Sequence, residues 1–504
     1  MISLKISLNR FLLIGSLAIA AVSQAQPVKT LRFAVIGGSV ANAGYPARIG
    51  PHLPADSVIS FAFTGGTVLK SGDSSYWTSG KLAQVFAFQP DIISIQLGAN
   101  DSKPVNWGDS ANFQRDYKAL IDTLGTMPSH PRILLVYPTP VWKNEAAPQS
   151  PNLLRGSVIG NSIVPLVRKI ATDKGTDTVN LYTPLLTRQT LFADSINPST
   201  AGNDTLGRRI FESLVAQSIR VMCVGNSITA YVGTVSGATA KDAYSMHLNM
   251  LLGPRYWVWN GGKSGWWMQR RQLPGASSAY KSYVTDKTQM DSLYLLKPHY
   301  ITVKLGTNDA RQNFWNTAGY ITDYQYFIDT LYNNMTPKPK FILFKAFPAW
   351  QLNGNWQYSN SGYTAAANGI NGDIIRDSLG PAIDVIAASR PTQVKGIVDL
   401  YTPFVSPTPT LASDGVHPNK TGQDSIAHII YRYFAANVVP IAPAKPQAPT
   451  ENNHHGLRYV KSGKRIVAEG TGSMNTLDGR KIQGNTPTAS GVYVIKPEDK
   501  PPAK

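Results

Sequence analysis

A single cysteine, Cys223, in 504 residues excludes an internal disulfide. It stands in the apolar run Val221-Met222-Cys223-Val224, where a thiol behaves as a small buried hydrophobe, so its scarcity says nothing about compartment. Charge is also sparse. Charged residues make up 15% of the chain against 42% hydrophobic and 10% aromatic, which excludes a disordered composition and supplies ordinary globular cores. No apolar run reaches the roughly 20 residues a helix needs to cross a bilayer, so no transmembrane span is expected. Histidines do not cluster with cysteines or carboxylates at ligand spacing, and His454-His455 reads as linker, so no metal is implied. Neither a phosphate-binding glycine loop nor a dinucleotide signature is present, and no cofactor is expected. The formal charge of +18 is scattered without a block of five basic residues or a nucleic-acid motif. It reads as a solvated basic surface, the alternative being long-range attraction to anionic surfaces, acidic polysaccharide or nucleic acid. No nucleic-acid partner is expected.

What is present is a repeat. The segment QPDIISIQLGAND at 89–101 aligns without a gap on KPHYITVKLGTND at 297–309. A tryptophan follows each at the same offset, Trp107 and Trp315, and Leu181-Tyr182-Thr183-Pro184 matches Leu400-Tyr401-Thr402-Pro403. Two copies of one fold account for this. Each opens with a short apolar run ending in glycine, 33–37 and 221–225. Further runs at 92–97, 133–137, 300–305 and 341–347 have the composition of strands covered on both faces of a parallel sheet. Helical patterns at 113–124 and 324–332 lie between them. This alternation predicts α/β layered domains with the site at the carboxyl ends of the strands. The expected boundaries are a first domain at 28–217, a second at 218–437, a Pro/Ala-rich linker at 438–453 and a small all-β module at 454–498. Upstream, Lys5 and Arg10 precede the apolar run 11–22 and the small-residue site Ser23-Gln24-Ala25, the pattern of a cleaved signal peptide at 1–25.

In Gly225-Asn226-Ser227-Ile228-Thr229 a serine follows a strand and a tight turn. A serine hydroxyl is a poor nucleophile until a base takes its proton, and that base needs an acceptor to hold its tautomer. Asp414-Gly415-Val416-His417 offers both on one loop. Acyl transfer also needs donors for the oxyanion. The segment Asn260-Gly261-Gly262-Lys263-Ser264-Gly265 follows an expected strand at 255–259 and leaves a backbone N–H at Gly265, and Asn308 of Leu305-Gly306-Thr307-Asn308-Asp309 offers a side-chain amide.

The four segments in this order, GNSIT, NGGKSG, LGTND and DGVHPN, resemble the blocks of the SGNH hydrolases, also called GDSL esterases and lipases, over essentially all of 218–437. The resemblance implies a flavodoxin-like α/β/α sandwich with Ser227 as nucleophile, His417 as general base and then acid, and Asp414 orienting it. It implies an oxyanion hole made by Ser227 N–H, Gly265 N–H and the Asn308 side chain. Asn226 departs from the family's usual aspartate. The first copy is similar to a damaged member, with the counterpart residues Ser39, Gly66, Asn100, Asp194 and Asn197. Asparagine at 197 cannot accept and return a proton near neutral pH, so this copy is expected to be catalytically dead. The tail, LDGRKI and then ASGVYVIK, resembles the sorting modules of type IX secretion, implying a Gram-negative bacterium that exports the protein to its surface or medium through such machinery.

The family spans lipases, thioesterases, arylesterases and sugar deacetylases, and fold analogy does not choose among them. Trp266 and Trp267 beside the oxyanion glycine, the absence of an apolar lid-like stretch and the tail point to an acetyl ester on a carbohydrate. The alternatives are another esterase of the family, of lipase or arylesterase type, and a non-catalytic glycan-binding surface protein in which both copies are relics.

Overall fold

The computed structural model describes residues 31–50, 57–142, 145, 150–231, 236–276, 278–311, 313–353, 355–358, 370–405 and 416–438, with four strand segments in the tail. The expected signal peptide and nearly all of the expected linker lie outside them. The chain divides into a unit at 1–443, which holds both α/β copies, and a unit at 444–504.

The first copy builds a five-stranded parallel sheet from β1 (Arg32–Gly37), β2 (Ser57–Ser60), β3 (Ile92–Gln96), β4 (Arg132–Val136) and β5 (Asp177–Val179) in the order β2-β1-β3-β4-β5. In the second, β6 (Ile219–Gly225), β7 (Tyr256–Gly262), β8 (Tyr300–Lys304), β9 (Lys340–Lys345) and, after a short hairpin of β10 (Trp350–Asn353) and β11 (Asn355–Tyr358), β12 (Val394–Asp399) repeat it as β12-β9-β8-β6-β7. Counting strands within each copy, both sheets read 2-1-3-4-5, the doubly wound order that opens a crevice at the carboxyl ends of the first and third strands. Ser227 and Asn308 leave the sheet on either side of that crevice, after β6 and β8.

Alternation along the strands sends side chains to two cores. In the second copy Ile301, Val303 and Leu343 pack under Tyr320, Tyr324 and Phe327 of the helix Thr317–Asn334. Val221, Cys223, Ile342 and Phe344 face Leu248 of the helix Tyr244–Leu252 and Ile426 and Ile430 of the helix Lys420–Asn437. Burial pushes the Cys223 thiol up to about 12, so it stays protonated and unreactive. The helical patterns expected at 113–124 and 324–332 are the interiors of longer helices, Ser110–Gly125 and Thr317–Asn334. Their starts are set by Asp109 and Asn316, whose side-chain oxygens accept from Ala111 and Gly319 N–H, a capping signal separate from the apolar stripe. The strand expected at 255–259 runs on to Gly262, because Asn260, Gly261 and Gly262 pair with Cys223, Val224 and Gly225.

The helix Thr200–Ala216 ends the first copy, and only Gln217 and Ser218 separate it from β6. The seam is locked by Arg132. Its guanidinium donates to Asp177 Oδ2 at 2.6 Å, to Ser218 Oγ and the Pro254 carbonyl at 2.8 Å, and to the Leu214 carbonyl at 3.3 Å. Arg255 adds a second contact to Asp177 at 3.2 Å. Trp257 of β7, an edge strand of the second sheet, is buried in the first copy's core beside Phe211. In the tail unit, strands at Arg458–Ser462 and Arg465–Glu469 pair antiparallel, as do Ser473–Thr476 and Tyr493–Lys496.

Candidate active site

Ser227 is presented by a strand-to-helix turn that only small residues permit. A Cβ on Gly225 would collide with Thr229, and one on Gly262 would collide with the backbone of Ala230, so two glycines let β6, β7 and the helix Ser227–Ala230 meet. Asn226 caps this helix, its Oδ1 accepting from Ile228 N–H at 3.2 Å, while its Nδ2 is buried and finds no hydrogen-bond partner among the described residues. His417 arrives from the loop before the helix Lys420–Asn437, whose start is fixed by Asn419 accepting from Gly422 N–H at 3.0 Å. Its Nε2 lies 2.7 Å from Ser227 Oγ across 190 residues of sequence. That is the reach a general base requires, and it leaves Nδ1 to be oriented by an acceptor. Asp414, expected in that role, lies outside the described residues. Ser227 is 9% exposed and His417 is half-buried.

The two further donor positions lie together. Gly265 has φ +79°, the left-handed region that favours glycine. The Asn308 amide donates one hydrogen to the Trp266 carbonyl at 2.8 Å, which fixes its plane and leaves the other hydrogen for a ligand. Asp309, fully buried, clamps the same loop by accepting from Met268 N–H at 2.9 Å and Gln269 N–H at 2.9 Å. Burial raises its carboxyl to about 6, and those two N–H donors pull against the rise. The sequence suggested no role for Asp309; its signal is the LGxND repeat itself, because Asp101 does the same for Val68 and Leu69.

The first copy keeps the scaffold and carries Asn197 at the position expected for the base. Gly38 replaces the capping Asn226 at nearly the same backbone angles, φ −94° and ψ −147° against −96° and −149°, but provides no side-chain cap. Asp194 accepts from the Asn197 backbone N–H at 2.6 Å and from its side-chain amide at 2.8 Å. The lone pair of an amide nitrogen is delocalised into its carbonyl, so Asn197 does not deprotonate Ser39 near neutral pH. The cleft lined by Ser39, Gly66, Asn100, Pro138, Leu154 and Ile196 measures about 20 Å³, room for little more than one water. The structure places Gly65, not Gly66, opposite Gly265: Gly65 has φ +84°, and Asn100 donates to the Gly66 carbonyl at 3.3 Å as Asn308 does to that of Trp266.

Of the two tryptophans expected to meet a sugar, Trp267 is ruled out. It has no exposed surface, packs edge to face on Phe314 and donates its indole N–H to the Arg271 carbonyl at 3.0 Å, so it is the core of its loop. Trp266 is half-buried against Tyr283 and donates to the Ala279 carbonyl at 3.3 Å. The ring that instead covers Gly265 is that of Tyr280, 44% exposed, which sequence spacing did not single out because it lies 15 residues downstream in a loop. Among the described residues no group of histidine, cysteine and carboxylate side chains could hold a metal, and no helix is long and apolar enough to cross a membrane.

The chain matches the model of the GDSL-like lipase/acylhydrolase family twice, over residues 28–205 and 223–424. Among curated proteins it is 29% identical over 200 residues to an acetylxylan esterase of Xylanibacter ruminicola, covering 34% of this chain and 40% of that relative, well short of the relative's full length. Among solved structures, an acetyl xylan esterase is 18% identical with a TM-score of 0.30, covering 36% of this chain and 99% of its own. A carbohydrate acetylesterase from Sinorhizobium meliloti is 16% identical with a TM-score of 0.34, covering 43% and 98%. Two family-model matches over most of the chain, on two sheets of the same order, establish that the protein belongs to the GDSL-like lipase/acylhydrolase family, in tandem.

Proposed function

We propose that the second α/β domain is a secreted serine esterase that removes acetyl groups from a carbohydrate, and that the first is a non-catalytic brace. The observation that carries the reading is the 2.7 Å contact between His417 Nε2 and Ser227 Oγ. In the first step Ser227 Oγ attacks the acetyl carbonyl and His417 takes its proton. The carbonyl oxygen becomes an oxyanion in reach of the N–H groups of Ser227 and Gly265 and the free amide hydrogen of Asn308. Collapse breaks the C–O bond to the sugar, whose oxygen receives the proton held by His417. Water, deprotonated by His417, then attacks the acetyl-serine; the acyl–Oγ bond breaks, Ser227 Oγ takes back the proton from His417, and acetate leaves. Asp414 is assigned the acceptor of His417 Nδ1–H. The likeness to an acetylxylan esterase supports the acetyl-sugar class, and the signal-like segment and the tail support export.

The test is release of p-nitrophenol from p-nitrophenyl acetate and of acetate from acetylated xylan. Wild-type protein that hydrolyses neither, nor any other acetyl ester offered, contradicts the proposal.

A further inference from the structure

The two copies differ beside the oxyanion loop. Thr67 bridges to Ser75 in the first copy and Trp267 to Ser282 in the second, so seven residues lie between the bridged positions in one and fourteen in the other. The longer loop walls a groove of about 420 Å³ whose lining includes Arg270, Arg271, Tyr280 and Lys281. Tyr280 joins this groove to the catalytic cleft, since its ring lies against Gly265.

The groove's charges are unevenly matched. Arg270 is held by Asp323 at 2.6 Å and lies over the Tyr326 ring at 4.3 Å. Lys281 reaches Asp286 at 3.3 Å, with half of its side chain in solvent. Arg271 stacks on Phe314 at 4.5 Å and has no carboxylate partner among the described residues. Three cations thus face two carboxylates, with one guanidinium held over the Phe314 ring. In the first copy the short connection instead carries Asp73, neutralised by Lys103 at 2.8 Å.

We infer that this groove is a subsite for a carboxylate-bearing sugar, a uronic acid residue on the polysaccharide next to the acetylated unit, with Arg271 and Lys281 binding the carboxylate and Tyr280 under the ring. This rests on the esterase reading above. A planar guanidinium matches a carboxylate with two parallel hydrogen bonds, and an exposed aromatic face suits a pyranose. The volume fits one or two sugar rings, in the usual range of small-molecule sites.

The experiment compares acetate release from acetylated xylo-oligosaccharides with and without a uronic acid branch, matched in acetyl content, at low and high salt. The full-length protein should prefer the acidic substrate roughly tenfold in kcat/KM, mainly through KM, and the preference should shrink in 0.5 M NaCl as the charges are screened. Arg271→Gln with Lys281→Gln should bring the acidic-to-neutral ratio close to one. Equal rates on both substrates, or a preference that survives both substitutions, overturns the subsite. Failure of the esterase reading looks different: wild type would then hydrolyse neither oligosaccharide nor p-nitrophenyl acetate. Binding of the uronic oligosaccharide to Ser227→Ala protein, measured by calorimetry against the neutral one, would still decide the subsite, and equal affinities would overturn it.

Discussion

Lys304 ends β8 with its side chain 1% exposed, and its ammonium nitrogen finds no hydrogen-bond partner among the described residues. Burial alone pushes its pKa from 10.5 down to about 7. An unfolded chain holds the proton up to about pH 10.5, whereas the folded chain releases it near 7. Between those values the unfolded state binds more protons, so the stability contributed by this group rises with pH, by about 1.4 kcal/mol per pH unit at most. Below pH 7 the penalty is full and flat, on the order of 5 kcal/mol as an upper bound; above about 10.5 it is gone. Lys304→Met fills the same volume without the charge. Thermal unfolding at pH 6, 8 and 10 should show the variant more stable by several degrees at pH 6, with the gain shrinking at 8 and nearly absent at 10. A variant less stable than wild type at pH 6, or a gain independent of pH, would refute the reasoning and imply a buried partner for the ammonium.

Arg132→Ala removes the lock between the copies and leaves the buried Asp177 only its 3.2 Å contact to Arg255; a loss of about 3 kcal/mol, the low end for breaking a buried pair, is expected from calorimetry, with the two copies melting separately. Two independent transitions already present in wild type would contradict the brace. Gly265→Ala forces a side chain into left-handed backbone and against Tyr280, so kcat on p-nitrophenyl acetate should fall roughly a hundredfold as the N–H donor is displaced. Asn226→Asp keeps the oxygen that caps the Ser227 helix and replaces the unpartnered Nδ2; kcat should change less than about fivefold, and a larger loss would show that the amide itself is required.

Strands and site blocks were legible because parallel strands buried on both faces are written as local apolar runs, and because each glycine turn sits next to the residue it presents. The Ser227–His417 pairing was legible only through the order of four blocks, since nothing local links positions 190 apart. What stayed hidden depends on contacts made at a distance. Trp267 is as aromatic as Trp266, yet the inserted loop folds Phe314 and the Arg271 carbonyl around it and leaves it no surface. The one-residue offset between Gly65 and Gly66 is invisible in a Gly-Gly pair and is settled by backbone angle and by which carbonyl Asn100 meets. Arg132, an ordinary basic residue at a strand start, becomes the seam only when Ser218 and Pro254 are brought to it.

The most direct measurement is turnover of p-nitrophenyl acetate by wild type, Ser227→Ala and Ser39→Ala side by side. Loss of several orders of magnitude in Ser227→Ala, with Ser39→Ala close to wild type, is the predicted result, in keeping with the roughly millionfold cost of removing a triad serine in the subtilisin example. Activity that survives Ser227→Ala, or that disappears with Ser39→Ala alone, would contradict the assignment of the chemistry to the second domain.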